Sequence, residues 1–111
     1  METIRESREV EVCNTIARQL GRQAFYMLNI KRYTTAGKNK LGFLAKIAGV
    51  KYNYMEITLN SMDTYDMAFI KMHGGREVRK EIREGIYSDQ IHEMIREVTG
   101  MATSLPRITS R

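Results

Sequence analysis

Two runs of alternating residues in the middle of the chain, 54–60 and 64–72, constrain the fold most strongly. In the first run Met55, Ile57 and Leu59 point to one side of an extended chain, and the residues between them point to the other. A short polar turn separates the two runs. This pattern predicts two antiparallel strands that are joined as a hairpin.

Further strand signals lie on both sides of this hairpin. Residues 25–33 and 41–48 are rich in apolar and aromatic residues and predict two strands, with residues 34–40 as the turn between them. Gly74 and Gly75 predict another hairpin turn, because glycine accepts positive φ angles. Residues 77–83 fit either a helix or a strand by spacing, and the glycines around them favour a fifth strand.

Apolar residues at helical spacing predict a helix at each end of the chain. Residues 4–20 have an apolar stripe and are followed by Gly21, which is typical of a helix end. Residues 86–99 form the second amphipathic segment and end before Gly100. We expect residues 101–111 to be a frayed tail.

The order of these elements predicts the fold class. A chain of 111 residues is long enough for one domain with one core, so we expect a single domain over residues 1–111. Short connections favour antiparallel pairing. We therefore predict a two-layer α+β domain: a helix, an antiparallel meander of four or five strands, and a C-terminal helix, with both helices on one sheet face. The other face then meets water or a partner.

Charge is distributed unevenly along the chain. No acidic residue occurs between Glu11 and Glu56, and that stretch holds eight of the 18 basic residues. The rest of the chain has 10 basic and 13 acidic residues, although the whole protein has a net charge of +5. Such a segment creates a local positive field that attracts nucleic acid phosphates or an acidic protein surface. The alternative is a solvated basic face that serves solubility.

Aromatic residues among these basic ones define the candidate binding site. Lysine binds phosphate as a point charge, arginine can bind it with two hydrogen bonds, and tyrosine rings can stack on bases. Tyrosine is also a favoured strand residue, which is the structural alternative. The candidate binding residues are Arg22, Lys31, Arg32, Tyr33, Lys38, Lys40, Lys46, Lys51, Tyr52 and Tyr54.

The sequence has no established catalytic motif, so we expect a protein that is not an enzyme and needs no cofactor. Cys13 lies on the apolar stripe of the first helix, where a buried structural thiol is the usual case. Asp63 and Asp66, with Glu56 across the hairpin, could bind Mg²⁺, or they could cap the turn and face solvent. A metal nuclease is the least favoured hypothesis, because residues 77–79 read Glu-Val-Arg where lysine is the usual third residue.

Composition also bears on location. No apolar run approaches the ~20 residues that a membrane-spanning helix needs. The first six residues are charged where a signal peptide would be apolar. A single cysteine fits a reducing compartment. We therefore expect a cytoplasmic protein with no membrane partner.

Three segments carry a resemblance to known proteins: residues 54–69 (YMEITLNSMDTYDMAF), 85–91 (GIYSDQI) and 98–105 (VTGMATSL). They resemble a group of small proteins that phages and integrative elements carry, in which a similar block precedes a helix ending in TGM. The resemblance supplies no catalytic residues. It implies a mobile-element protein in the cytoplasm of a bacterial host.

By association, the resemblance implies binding to host machinery. Small non-enzymatic proteins of mobile elements include inhibitors of host defence nucleases, among them anti-CRISPR proteins. The first hypothesis is therefore binding to a host nucleoprotein complex, with inhibition of a defence nuclease. The second is a general nucleic-acid-binding module of the element's replication or packaging apparatus. A homodimer that covers the free sheet face is also possible.

Overall fold

The computed structural model describes residues 2–103, with side chains from Arg8 onward. A kinked N-terminal helix is followed by five strands, a short 3₁₀ turn at Ser88–Gln90 and a C-terminal helix. The sheet is an antiparallel meander in sequence order, so the predicted α+β fold class is confirmed. The elements are α1 (Glu2–Met27), β1 (Tyr33–Gly37), β2 (Lys40–Lys46), β3 (Tyr54–Leu59), β4 (Tyr65–His73), β5 (Arg76–Ile86) and α2 (Ile91–Thr99).

One face of the sheet, here called the covered face, forms half of the core. Residues that pair across antiparallel strands point to the same face. Phe43, Ile57 and Met67 form one such row across β2, β3 and β4, and all three are fully buried. The next row contains Met55 and Phe69, which are also fully buried. The alternating residues of the same strands form the opposite, open face.

Both helices pack on the covered face and complete a single hydrophobic core. Ile16 and Leu20 of α1 and Ile91 and Ile95 of α2 belong to the same buried cluster as the sheet residues. The helices also contact each other directly: Nε2 of His92 in α2 lies 3.3 Å from the backbone oxygen of Gln19 in α1. The molecule therefore has two layers, and no element among residues 2–103 covers the open face.

The first helix is longer than the predicted 4–20. Gly21 does break it, with φ +86° and ψ 163°, but helical structure resumes and continues to Met27. Glycine tolerates this conformation because it has no Cβ. Ala24 and Leu28 are buried four residues apart, so the chain after the break still follows a helical period.

The predicted strand at 25–33 is wrong over most of its length, because α1 ends in a Schellman motif. Asn29 has a left-handed φ of +58°. The amide of Ile30 donates to the oxygen of Phe25 at 2.8 Å, and the amide of Asn29 donates to the oxygen of Tyr26 at 3.1 Å. These two bonds satisfy the last helical carbonyls. β1 begins only at Tyr33 and occupies residues that were predicted as a turn.

The remaining elements follow the predictions more closely. The β1–β2 turn is confined to residues 38–39, and Asn39 provides the positive φ of +65°. The fifth strand is confirmed, and it is longer than predicted because bulges opposite β4 carry it from Arg76 to Ile86. The predicted helix at 86–99 begins later, at Ile91, and ends at Gly100 with a left-handed φ of +76°.

The start of the predicted tail packs against the domain. Met101 is half-buried, and Thr103 is buried with its hydroxyl 2.7 Å from Nδ1 of His92. Residues 104–111 of that prediction lie outside the described residues.

Candidate functional site

The candidate site is one end of the sheet, which we call the basic end and define as residues 31–33, 46–54 and 70–80. The antiparallel register brings these three segments together, because β1 and β3 begin there, β2 ends there, and β4 turns into β5 there. Eight basic residues lie in the three segments: Lys31, Arg32, Lys46, Lys51, Lys71, Arg76, Arg79 and Lys80.

The opposite end of the sheet has a different charge. Within the three basic-end segments Glu77 is the one acid, and its carboxylate lies 3.9 Å from Nζ of Lys80. The opposite end holds a mixture of both signs: Arg8, Lys38, Lys40 and Arg83 together with Asp63, Asp66, Glu84 and Asp89. The domain is therefore electrostatically polarised along its strands, which the net charge does not reveal.

Both helices end at the basic end. The amide of Ala48 donates to the oxygen of Leu28 just after α1, and Met101 just after α2 packs against Gly49. A helix C-terminus carries about half a negative charge, so two of them supply roughly one. These partial charges offset part of the positive charge of this end, and Glu77 near Lys80 offsets another part.

A cleft of about 750 Å³ opens at the basic end, on the side of α2. Lys51, Lys71 and Arg79 line it together with the exposed apolar side chains Val50 and Val78, and none of the described lining residues is acidic. Nζ of Lys71 donates to the backbone oxygen of Val50 at 2.9 Å, which fixes the wall formed by the β2–β3 loop. The cleft therefore offers three cations to an anionic ligand.

Gly49 makes the tight path of this loop possible. A Cβ at this position would lie 2.2 Å from the backbone oxygen of Tyr52, so only glycine fits without rearrangement. Lys51 then stands over the ring of Tyr52, with Nζ 5.7 Å from the ring centroid. The loop thus holds Lys51 at the mouth of the cleft.

A polar network of Tyr52, Glu81 and Arg83 lies next to the basic end. The Glu81 carboxylate is bonded to the guanidinium of Arg83 and accepts a 3.1 Å hydrogen bond from the Tyr52 hydroxyl. The hydrogen bonds from Arg83 and then Tyr52 hold the pKa of Glu81 below its usual value. Burial, followed by the bond to Glu81, raises the pKa of Tyr52. Glu81 is therefore held in this network and does not line the cleft, although the charge of Lys51 also contributes to lowering its pKa.

The predicted basic segment is divided between the two ends of the molecule. Lys31, Arg32, Lys46 and Lys51 lie at the basic end. The turn residue Lys38 and its neighbour Lys40 lie at the opposite end, where Nζ of Lys40 is 3.7 Å from a carboxylate oxygen of Glu56. The segment does not form one continuous surface, because a hairpin reverses the chain in its middle.

Arg22 and Tyr33 lie in a separate groove of about 660 Å³ between α1 and the edge strand β1. The Tyr33 hydroxyl donates to Oδ1 of Asn14 at 3.0 Å. Its ring stacks on Phe43 with the centroids 5.2 Å apart. Tyr33 thus has structural contacts on one side and the groove on the other.

The other two candidate tyrosines differ in exposure. Tyr52 is only 2% exposed and belongs to the core, so its ring is not accessible for stacking on a base. Tyr54 is partly exposed on the open face, paired with Lys46 on one side and Ile70 on the other. Tyr54 is therefore the candidate tyrosine with a ring on the open face.

Half of the basic end was not among the candidate residues from sequence. Lys71, Arg76, Arg79 and Lys80 lie in a part of the chain where glutamates alternate with them and hide any net charge. The register of β5 on β4 places Arg76, Arg79 and Lys80 beside Lys71 at the basic end, with Glu77 as the acid that stays among them. The predicted hairpin at Gly74 and Gly75 could have indicated these residues, because such a turn places the basic residues before and after it at the same end of the sheet.

The residues considered for catalysis have structural partners. Cys13 is 3% exposed, its thiol donates to the oxygen of Thr34 at 3.4 Å, and burial raises its pKa. Oδ1 of Asp66 accepts hydrogen bonds from the Asn60 side chain at 2.9 Å and from the Gly85 amide at 3.2 Å. Among the described residues, no three His, Cys, Asp or Glu side chains are arranged so that they could hold a metal ion.

Comparisons with known proteins add no assignment. No protein-family model, curated protein or solved structure matches the chain. In the part of the chain that the structure describes, no helix has the length and apolar character to cross a membrane.

Proposed function

We propose that this protein binds nucleic acid through its basic end and acts by binding, without catalysing a reaction. The observation that carries the proposal is the gathering of eight basic residues from three separate chain segments, with one acid among them. Phosphate groups are the natural ligand for such a cluster, because each neutralised phosphate releases a condensed counterion.

The chemistry of the cleft supports a phosphate ligand over other anions. Arg79 can bind a phosphate with two parallel hydrogen bonds, and Lys51 and Lys71 add point charges from the other walls. Several cations that act together suit a polyanion, since a single carboxylate would leave most of them without a partner. The uneven charge also orients the molecule, because the opposite end, where acids and bases are mixed, attracts the same polyanion less strongly.

The biological context remains a prediction from the resemblance. A host nucleoprotein complex would present the same phosphates as free nucleic acid, so the basic end serves the mobile-element hypothesis as well. Inhibition of a defence nuclease in a bacterial cytoplasm is part of that hypothesis, and it is tested separately by asking whether the protein co-purifies with a host complex.

The experiment that tests the proposal is a binding titration of the wild-type protein. Fluorescein-labelled single- and double-stranded DNA and RNA of one sequence are titrated at about 50 and 200 mM salt, with and without Mg²⁺. The proposal expects binding that weakens steeply with salt and substrates that stay intact. No binding at low salt would contradict it, and Mg²⁺-dependent cleavage would favour the nuclease hypothesis.

A further inference from the structure

The open face carries one row of residues that is suited to more than phosphate contact. The register aligns Lys46 of β2, Tyr54 of β3, Ile70 of β4 and Lys80 of β5 side by side. This row lies next to the basic end. An aromatic and an aliphatic side chain thus form its centre, with a cation at each side.

The spacing of the row follows from the sheet. Neighbouring strands lie about 4.8 Å apart, so the two lysines are separated by three spacings, or roughly 14 Å. Tyr54 is one spacing from Lys46 and two from Lys80. A ring in this position can take a base on its face, while the lysines reach phosphates on either side.

The charges of the open face change along the strands, away from the basic end. Lys46 has no ion-pair partner among the described residues, and Lys80 has only Glu77 at 3.9 Å. In the next row Glu56 already pairs with Lys40, and beyond it Asp66 is held by Asn60. A polyanion is therefore favoured at the row of Tyr54 and is disfavoured further along the face.

We propose that the open face binds a single-stranded nucleic acid, with one base stacked on Tyr54 and neighbouring phosphates on Lys46 and Lys80. This inference rests on the proposed function and names its substrate class. The phosphates of a duplex can also bind Lys46 and Lys80. Its bases are stacked within the double helix, so they cannot stack on the ring of Tyr54. Stacking tolerates any base, because every base has a π-face.

A second copy of the chain fits this face less well. The apolar side chains Leu44, Ile70 and Ile82 lie in rows that also contain charged residues such as Glu56 and Lys80. A homodimer interface would be expected to have a more continuous apolar centre. Single-stranded nucleic acid uses the mixture of ring, aliphatic surface and cations directly.

The test compares variants of Tyr54 by fluorescence anisotropy with a labelled 12-nucleotide single strand of DNA or RNA and with the matching duplexes. Tyr54→Leu removes the ring but keeps an apolar side chain, and Tyr54→Phe keeps the ring. Tyr87→Ala is the matched control, because Tyr87 is 62% exposed at the opposite end. Circular dichroism and thermal melting establish that each variant is folded.

We expect Tyr54→Leu to weaken single-strand binding by about 5- to 100-fold, in line with the value of one stacked base. Tyr54→Phe and Tyr87→Ala should bind like the wild type, and duplex binding should change less than twofold in every variant. The better of the DNA and RNA strands then identifies the natural sugar.

A crosslinking arm keeps the test independent of stability. A single strand with 5-iodouracil is irradiated with the wild-type protein, and the crosslinked residue is identified by mass spectrometry. Crosslinking at Tyr54 supports the inference. Crosslinking at another aromatic residue, or single-strand affinity unchanged in Tyr54→Leu, overturns it and leaves the proposed function standing. Absence of salt-dependent binding by the wild type overturns both, and a Tyr54-dependent dimer by light scattering overturns the inference.

Discussion

The hydroxyl of Tyr52, in the loop between β2 and β3, donates a 3.1 Å hydrogen bond to the carboxylate of Glu81 on β5. This contact spans the sheet from a loop of the basic end to its edge strand. Arg83 binds the second oxygen of the same carboxylate, so Glu81 is fixed between two donors. The network keeps the tyrosine in the core and an acid out of the cleft.

The Glu81 network predicts a specific pH dependence. Because hydrogen bonds from Arg83 and Tyr52 lower the pKa of Glu81, ionised Glu81 stabilises the folded state above its unfolded pKa of about 4.3. This stability is lost as the pH falls through the lower folded pKa. NMR titration of the carboxyl carbon should show the pKa rising more in Arg83→Ala than in Tyr52→Phe. An ordinary pKa in the wild type would contradict the network.

A pair of substitutions tests which face of the sheet is covered. Phe69 is fully buried on the covered face, and Phe69→Ala should lower the free energy of unfolding by about 3–5 kcal/mol. Ile82 is 52% exposed on the open face, and Ile82→Ala should lower the free energy of unfolding by only about 0.5 kcal/mol. Urea denaturation measures both values. Similar losses in the two variants would mean that the open face is packed.

Gly42 is required by a close approach of β2 to β3. A Cβ there would lie 2.2 Å from the backbone oxygen of Ile57 and 2.7 Å from Cα of Thr58. Gly42→Ala should therefore cost at least the upper end of the about 1–3 kcal/mol typical of overpacking. Gly74→Asn is the control, because Gly74 has open space around it and asparagine tolerates its positive φ. Equal unfolding midpoints for the two variants would refute the close approach.

The single thiol reports on global opening. Cys13 is buried and its pKa is raised, so the native protein should react slowly with a disulfide reagent such as DTNB. In urea the rate should rise on the order of a thousandfold or more, because unfolding exposes the thiol. Fast reaction of the native protein would show that the contact between α1 and β1 opens locally.

Local patterns were sufficient for most of the fold. The alternation of Met55, Ile57 and Leu59 and the turn at Gly74 and Gly75 predicted β3, β4 and β5 in their correct order. The region after Gly21 was misassigned, because a glycine that breaks a helix looks the same in sequence as one that ends it. Packing of Ala24 and Leu28 on the sheet decides between the two, and that packing is not local.

The candidate site was predictable only in part. The acid-free segment drew attention to Lys46 and Lys51, which do lie at the basic end. Lys38 was grouped with them by sequence, but the two-residue turn carries it to the opposite end. Arg79 was not predicted, because glutamates lie near it in sequence. Only the register shows that it lies opposite Lys71 at the basic end.

The central claim is tested most directly by the salt dependence of binding in two matched double variants. Lys51→Gln/Arg79→Gln removes two cations from the cleft, and Lys38→Gln/Lys40→Gln removes two from the opposite end. The plot of log K against log salt has a negative slope. Its magnitude should decrease by about two in the first variant, because each lost phosphate contact decreases it by about one. The second variant should keep the wild-type slope. Equal slopes in the two variants would contradict binding through the basic end.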